Sequence, residues 1–257
     1  MIDYEKHGNV AVITINRPDA RNAVNSEVAR GIEAAIDRME ADDEVWVGIL
    51  TGARTSTGYI FCAGADLKQM RVDPGGMMTE RGGFGGIVRR EREKPLIAAV
   101  DGPALAGGTE IALACDLVVA SRTAVFGIPE VKRSLVAAAG GLFRLPRKLP
   151  RNVAMELALT GRLDFPAERA YHLGWVNVLC EEGEALTAAR TLAAQICENA
   201  PLAVRESRRI MLAAPDQPDE VGWRLSGEGI GKMFGTEDFQ EGLAAFVEKR
   251  APRWKGR

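Results

Sequence analysis

An α/β domain with crossover connections, followed by a helical C-terminal region, is the fold class the sequence predicts. Three observations carry it. Short β-branched runs alternate with helix-period segments through the first half of the chain, strand-like runs become rare from about residue 140 onward, and the later segments have helical spacing. A chain of 257 residues can bury roughly 70 to 75% of its unfolded surface, so a large core forms without a metal or disulfide staple.

The first strand is read in NVAVITINRP, residues 9–18, where β-branched residues dominate and Pro18 ends the run, with His7 just ahead of it. A helix follows over residues 26–42, SEVARGIEAAIDRMEAD, with Val28, Ile32, Ala35 or Ile36 and Met39 at helical spacing and Ser26 as N-cap. VWVGILTG (45–52), PLIAAVDG (95–102) and DLVVAS (116–121) read as buried strands, and IALACD as the core of a short helix between the last two. MELALTG, AERAYHLG, EALTAARTLAAQICENA and PLAVRESRRIMLAA suit helices. Pro201, Pro215 and Pro218 mark the boundary that divides residues 1–200 from a helical region at 201–257.

VDPGGMMTERGGFGGI, residues 72–87, is the least committed stretch, with six glycines in 16 positions. It reads either as a mobile wall over an apolar ligand, with Met77, Met78 and Phe84 as adaptable contacts, or as an irregular surface loop. It is not a phosphate loop, because no GK[ST] follows GGFGG.

Charge and composition narrow the function classes. With 33 basic and 35 acidic side chains the net charge is −2 and no long stretch is wholly basic, which argues against nucleic-acid binding. Cys62, Cys115, Cys180 and Cys197 are far apart without CxxC spacing and read as reduced thiols. No export segment or bilayer-length apolar run is present, so a cytoplasmic protein with no membrane association is expected. Only His7 and His172 occur, too few for a histidine-rich zinc site, and no metal ligand set is expected. Proton transfer in an enzyme of this composition would run through carboxylates or backbone-held water.

Two segments share one local grammar. In YIFCAGADLKQM a strand-like run meets Ala63, Gly64 and Ala65 before Asp66 and a helix; in VDGPALAGGTEIALACD a strand meets Gly102, Gly107 and Gly108 before Glu110 and another helix. Small residues let backbone N–H groups face a pocket, and the first amides of a helix lack intrahelical partners. Two such corners face to face would form an oxyanion hole; apart, they are ordinary glycine turns. Glu110 reads as a helix-start carboxylate or as one of a pair with Glu130, which itself reads either as an acid in an apolar pocket or as an ion-pair partner of Lys132 or Arg133.

Beyond these local readings, the chain closely resembles the enoyl-CoA hydratase/isomerase family, also called the crotonase family. The resemblance runs almost end to end: NRPDARNAVN (16–25), FCAGADL (61–67), KPLIAAVDGPALAGGTEIALACDLVVAS (94–121), FGIPEV (126–131), AAGGLFRLPR (138–147) and AMELALTGR (154–162). It implies a ββα spiral core with the C-terminal helices contributing to a trimeric disk, commonly paired into a hexamer. It also implies that the amides of Ala65 and Gly107 form the oxyanion hole for an acyl-CoA thioester, and that Glu110 and Glu130 are the two acids of a hydratase. Relatives that isomerise, decarboxylate or dehalogenate often lack one of these acids, so retention of both points to water chemistry. Coenzyme A belongs to the substrate, and no cofactor is implied. Arg21, Ala63, Asp66, Leu67 and Lys68, with Phe246 or Lys249 from a neighbouring subunit, are the implied contacts to coenzyme A, although Arg21, Lys68 and Lys249 also read as solvated side chains.

Departures from the family pattern bear on substrate more than on reaction class. Ala106 stands where many relatives have glycine, Thr109 replaces a frequent cysteine or phenylalanine, and alanines precede Gly140 where a proline and glycine are usual. The ending AFVEKRAPRWKGR is similar to that of a subgroup including carnitinyl-CoA dehydratase and of hydratases that accept sterol-derived acyl chains. Carnitinyl-CoA dehydration, enoyl-CoA isomerisation and non-catalytic acyl-CoA binding are therefore the alternatives to enoyl-CoA hydration.

Overall fold

A computed structural model describes all 257 residues. In chain order the strands are β1 (Ile2–His7), β2 (Val10–Ile15), β3 (Val47–Gly52), β4 (Met78–Thr79), β5 (Gly83–Phe84), β6 (Leu96–Val100), β7 (Ala104–Leu105), β8 (Leu117–Ser121), β9 (Val125–Gly127), β10 (Phe165–Pro166) and β11 (Val178–Cys180). The α-helices are α1 (Ser26–Ala41), α2 (Leu67–Val72), α3 (Gly107–Ala114), α4 (Gly141–Lys148), α5 (Arg151–Thr160), α6 (Ala167–His172), α7 (Ala185–Cys197), α8 (Pro201–Ala213), α9 (Asp219–Met233) and α10 (Glu237–Glu248).

The main sheet has the order β1-β2-β3-β6-β8-β11, antiparallel only at β1. Its central strands are buried on both faces, as parallel strands must be. Alternation sorts the side chains: Ile13, Leu50, Ala98, Val118 and Ala120 face the larger core shared with α1, while Val12, Ile49, Ile97, Ala99 and Val119 face α7. The α7 stripe is Ala185, Ala189 and Ala193, all fully buried, so the helix backbone lies close to the sheet. The edge strands escaped the sequence reading. His7 lies inside β1 rather than ahead of the first strand, and β11, a strand not singled out in the sequence, pairs with β8. Edge strands are half-exposed and carry polar residues, such as Asp3, Glu5 and Lys6 in β1, so they lack a buried strand's apolar run.

Helix α1 begins at Ser26 as expected, but its cap lies one residue earlier. Asn25, in extended backbone, accepts the Val28 N–H at 2.9 Å and is the N-cap, whereas Ser26 is already helical. At the other end, buried Lys94 donates to the carbonyls of Met39, Glu40 and Asp42 at 2.7, 3.0 and 2.8 Å, satisfying acceptors the helix leaves free.

A second, smaller set of parallel segments matters most for function. After β3, β6 and β8 the chain leaves the main sheet and makes a short extended piece: Phe61–Cys62, β7 and β9. Cys62 bridges Ala104 and β7 pairs with β9, all in parallel, with β10 completing the layer. Each β-β unit then turns into α2, α3 or the short 3-10 helix Glu130–Arg133, so the chain winds as a ββα spiral. Parallel neighbours end on the same side, so three successive turns of the spiral deliver their helix starts side by side.

Asn22 braces the first of these turns. Fully buried at φ +56, it accepts the Arg17 N–H at 3.1 Å and donates to the carbonyls of Ala53 and Ile60 at 2.8 and 2.7 Å. Asn22→Ala leaves both carbonyls without their donor and is expected to lower unfolding free energy by about 2–3 kcal/mol, read from urea melts; a change below about 0.5 kcal/mol would contradict this role.

The helices α8 to α10 form the C-terminal region. Asp116 pairs with Arg92 at 3.1 Å and with Arg208 of α8 at 3.0 Å, tying the region to the core. The tail folds back, with buried Asp238 accepting the amides of Lys255 and Gly256 at 2.7 and 2.9 Å and Trp254 donating to Glu198 O at 2.8 Å. No helix is long and apolar enough to cross a membrane.

Candidate active site

The first corner is pinned from both sides. Gly64 adopts φ +91, its carbonyl accepts the Val24 N–H at 2.8 Å, and the Asp66 N–H returns to Val24 O at 2.8 Å. The Asp66 carboxylate caps α2 through the Lys68 and Gln69 amides and pairs with Arg17 at 2.7 Å. Although burial opposes it, the Arg17 guanidinium and these amides hold Asp66 below the usual carboxylate range. The Ala65 amide, between two residues whose backbone is bonded to Val24, has no acceptor among the protein's hydrogen bonds.

The second corner meets the first directly. Leu105 N–H bonds Cys62 O at 2.9 Å and Ala106 N–H bonds Gly127 O at 2.8 Å, so the corner hangs between its two parallel neighbours. Gly107 opens α3, and its amide, like that of Ala65, has no protein acceptor. A Cβ on Gly64 would stand 3.1 Å from Gly107 N, which brings the two corners into contact. Ala106 takes φ +52, ψ −124, a backbone region costly for a residue with a Cβ and a mark of stored strain. Thr109, fully buried, donates to Ala104 O and accepts from Gly127 N–H at 3.1 Å, locking α3 onto β7 and β9. This explains a hydroxyl at a position where a cysteine or phenylalanine is frequent in the family it resembles.

Glu110 and Glu130 close the site. Glu110 is 3% exposed and its Oε1 accepts the Gly141 N–H at 2.9 Å, so it reaches across to the start of α4 rather than capping its own helix. Burial pushes its pKa up to about 7, with the Glu130 charge adding to the rise and the Gly141 amide and Arg144 opposing it. Glu130 is half-buried, takes part in no ion pair, and has a buried Oε2 with no hydrogen-bond partner. The ion-pair alternative with Lys132 or Arg133 is therefore not realised, and burial raises the Glu130 pKa as well.

Residues 72–87 resolve into the β4–β5 hairpin. Met77, Phe84 and Ile87 are buried, and the Gly82 N–H bonds Glu33 of α1 at 2.7 Å. The Phe84 ring lies against Gly107, leaving no room for a Cβ there. Residues 82–87 are thus a packed wall of the second corner, while residues 72–75, Met78, Glu80 and Arg81 lie exposed at the surface.

Arg21, Ala63, Asp66, Leu67 and Lys68 all gather at the first corner, with Arg21, Leu67 and Lys68 exposed and Ala63 N–H donating to Arg21 O at 3.1 Å. Phe246 and Lys249 lie on and just after α10, exposed, with no hydrogen bond or ion pair to that corner. Sequence reasoning did not single out Gly141, Asn22 or the placement of Phe84; Gly141 stood inside a quoted motif, and its neighbour Gly140 at φ +109 marks the turn. A surface cavity of about 470 Å³ lined by Arg122, Glu168, Tyr171 and His172 is built on α6 and β11, away from the corners. No cluster of three or more His, Cys, Asp or Glu is arranged to hold a metal ion, and all four cysteines are free thiols.

Known proteins share this fold. The sequence matches the family described as Enoyl-CoA hydratase/isomerase over residues 5–257. It is 40% identical to the enoyl-CoA hydratase EchA19 of Mycobacterium tuberculosis, over 98% of this chain and 96% of that protein. It is 37% identical to a carnitinyl-CoA dehydratase of Salmonella typhi, over 98% and 97%. The crystal structure of an enoyl-CoA hydratase from Mycobacterium tuberculosis H37Rv superposes with a TM-score of 0.93 at 48% identity, covering 100% of this chain and 99% of that one.

Proposed function

The chain belongs to the enoyl-CoA hydratase/isomerase family, and we propose that it is an enoyl-CoA hydratase, adding water reversibly and syn across the double bond of a trans-2-enoyl-CoA. The observation that carries the reading is the convergence at adjacent spiral turns of two unclaimed amides, Ala65 and Gly107, and two carboxyls of raised pKa, Glu110 and Glu130.

The thioester oxygen sits between the Ala65 and Gly107 amides, where fixed N–H dipoles stabilise the enolate-like charge that develops as Cβ is attacked. Glu110, oriented by the Gly141 amide, takes a proton from the attacking water. Glu130, whose free Oε2 faces no protein donor, delivers a proton to Cα. Burial raises the pKa of both acids, that of Glu110 to about 7, and the reaction runs from the state in which one is ionised and the other protonated. Coenzyme A enters as part of the substrate, over Arg21, Ala63, Leu67 and Lys68, and Asp66 contributes by holding the turn. Phe246 and Lys249 complete that site from a neighbouring subunit of a homotrimer or a hexamer. The exposure of Trp223 (78%), Phe246 (85%) and Val247 (78%) on the 201–257 region supports such an assembly.

The test is a panel of 2-enoyl-CoA esters of rising chain length, with crotonobetainyl-CoA included, followed by loss of enoyl absorbance, and a 3-enoyl-CoA followed by its gain. Hydration of the simple enoyl esters is expected. Turnover of only the 3-enoyl ester would make the protein an isomerase. Turnover of only crotonobetainyl-CoA would make it carnitinyl-CoA dehydratase-like, the second reading favoured by the Salmonella relative, and stoichiometric binding without turnover would make it an acyl-CoA-binding protein.

A further inference from the structure

Arg144 is a half-buried guanidinium on α4 that forms no ion pair. Such a group is costly unless its donors are used, and here two of them go to carbonyls of two different turns. Nη1 donates to Ala139 O at 3.3 Å and Nη2 to Val88 O at 2.6 Å. Ala139 lies two residues before Gly141, whose N–H holds Glu110. Val88 closes the turn begun by Phe84, its amide and that of Ile87 both 3.4 Å from Phe84 O. The guanidinium passes directly over Gly140, whose lack of a Cβ and φ of +109 admit it. Apart from this side chain, no hydrogen bond joins the Ala139–Gly141 turn to the Phe84–Val88 turn.

We propose that Arg144 is a positioning residue for the acid-base site. Its guanidinium clamps the turn that presents the Gly141 amide to Glu110 onto the turn that lays Phe84 against Gly107. One side chain thereby couples the orientation of the general base to the wall of the oxyanion corner. The two bonds leave from different nitrogens of one rigid fork, Nη1 and Nη2; a lysine ammonium in its place keeps the charge but gathers its donors on a single nitrogen and loses that span. The charge acts as well. The groups that act on Arg144 are Arg92 and Arg147, both cations, the Cys115 thiol, which burial pushes up to about 12 and so leaves neutral, and the carboxyl of Glu110. Arg92 is engaged by Asp116 at 3.1 Å, and Arg144 is the cation that draws Glu110 toward its ionised form, opposing the Glu130 charge.

The inference rests on the hydratase reading for its kinetic consequences but not for its structural one, and the experiment separates the two. Arg144→Lys and Arg144→Met are compared with the unaltered enzyme by amide hydrogen exchange, by kcat and KM on a 2-enoyl-CoA, and by the pH dependence of kcat/KM. Exchange in segments 84–88 and 139–141 is expected to rise at least about tenfold in both variants. The kcat is expected to fall about ten- to a hundredfold with KM within about threefold, as for displaced catalytic groups. The acidic limb assigned to Glu110 should move to higher pH in both variants, because each loosens the Gly141 amide that favours the ionised carboxylate, and farther in Arg144→Met, which also removes the cation. Unchanged exchange in both segments, or a lower melting temperature with normal kcat and an unmoved limb, overturns the proposal. If Arg144→Met does not fold, Arg144→Lys carries the test through exchange and kcat. If the unaltered enzyme does not hydrate enoyl-CoA, the functional reading fails and exchange alone decides the clamp.

Discussion

Glu110→Gln and Glu130→Gln are each expected to lower the kcat for enoyl-CoA hydration by about 10³-fold or more while KM changes little. An amide matches the carboxyl in shape but can neither take a proton from water nor give one to Cα, and positioned proton transfer of this kind is worth about 10²–10⁴-fold. The pH dependence distinguishes the two acids. Glu110 acts as base only when ionised, and burial places its pKa at about 7, so kcat/KM should climb as pH rises through about 7. Glu130 must hold its proton, and burial raises its pKa toward that state. The rising limb should be missing from the residual activity of Glu110→Gln. Stability is linked to the same group. A carboxyl whose folded pKa lies above its unfolded value of 4.5 favours the native state fully below 4.5 and loses that contribution as pH rises through about 7. Glu110→Gln should therefore melt higher than the unaltered enzyme at pH 8. If both variants turn over at the normal rate, the two-acid mechanism is wrong.

Gly64→Ala should cost both stability and rate. At φ +91 the backbone is disfavoured for any residue with a Cβ, and the added carbon would lie 2.8 Å from Leu105 O, 2.9 Å from Ala106 Cβ and 3.1 Å from Gly107 N. These neighbours belong to the facing corner and two of the three are backbone, so relief requires the corners to part. The strain amounts to about 1–3 kcal/mol, and separating the two amides should lower kcat by about 10²–10³-fold, the effect of losing an oxyanion donor. Gly174→Ala is the control. Gly174 has a comparable φ of +87 but open space around the added carbon, so it should lose about 1 kcal/mol or less with kcat unchanged. The contact argument would be refuted by a Gly64→Ala enzyme that matches Gly174→Ala in urea unfolding and keeps normal kcat.

Legibility followed physical range. Helix α1 was visible because its buried residues, Val28, Ile32, Ile36 and Met39, repeat at helical spacing, and the missed cap at Asn25 is a matter of one residue's dihedrals. The central strands β2, β3, β6 and β8 were visible because burial on both faces writes an apolar run. Strands β1 and β11 were not, since each borrows its order from one neighbour and shows water its other edge. Both glycine corners were visible as local grammar, and the family motifs pointed to Ala65, Gly107, Glu110 and Glu130 as a set.

The sequence by itself determined the α/β class, the two small-residue corners and the acids that follow the second, because each is encoded within a few adjacent residues. Tertiary structure alone decided that the corners touch, that Gly141 reaches back 31 residues to hold Glu110, and that Glu130 stays unpaired beside two available cations. Those relations arise from parallel packing of successive spiral turns, which brings chain ends together at separations where no periodicity in the sequence records which residue will face which.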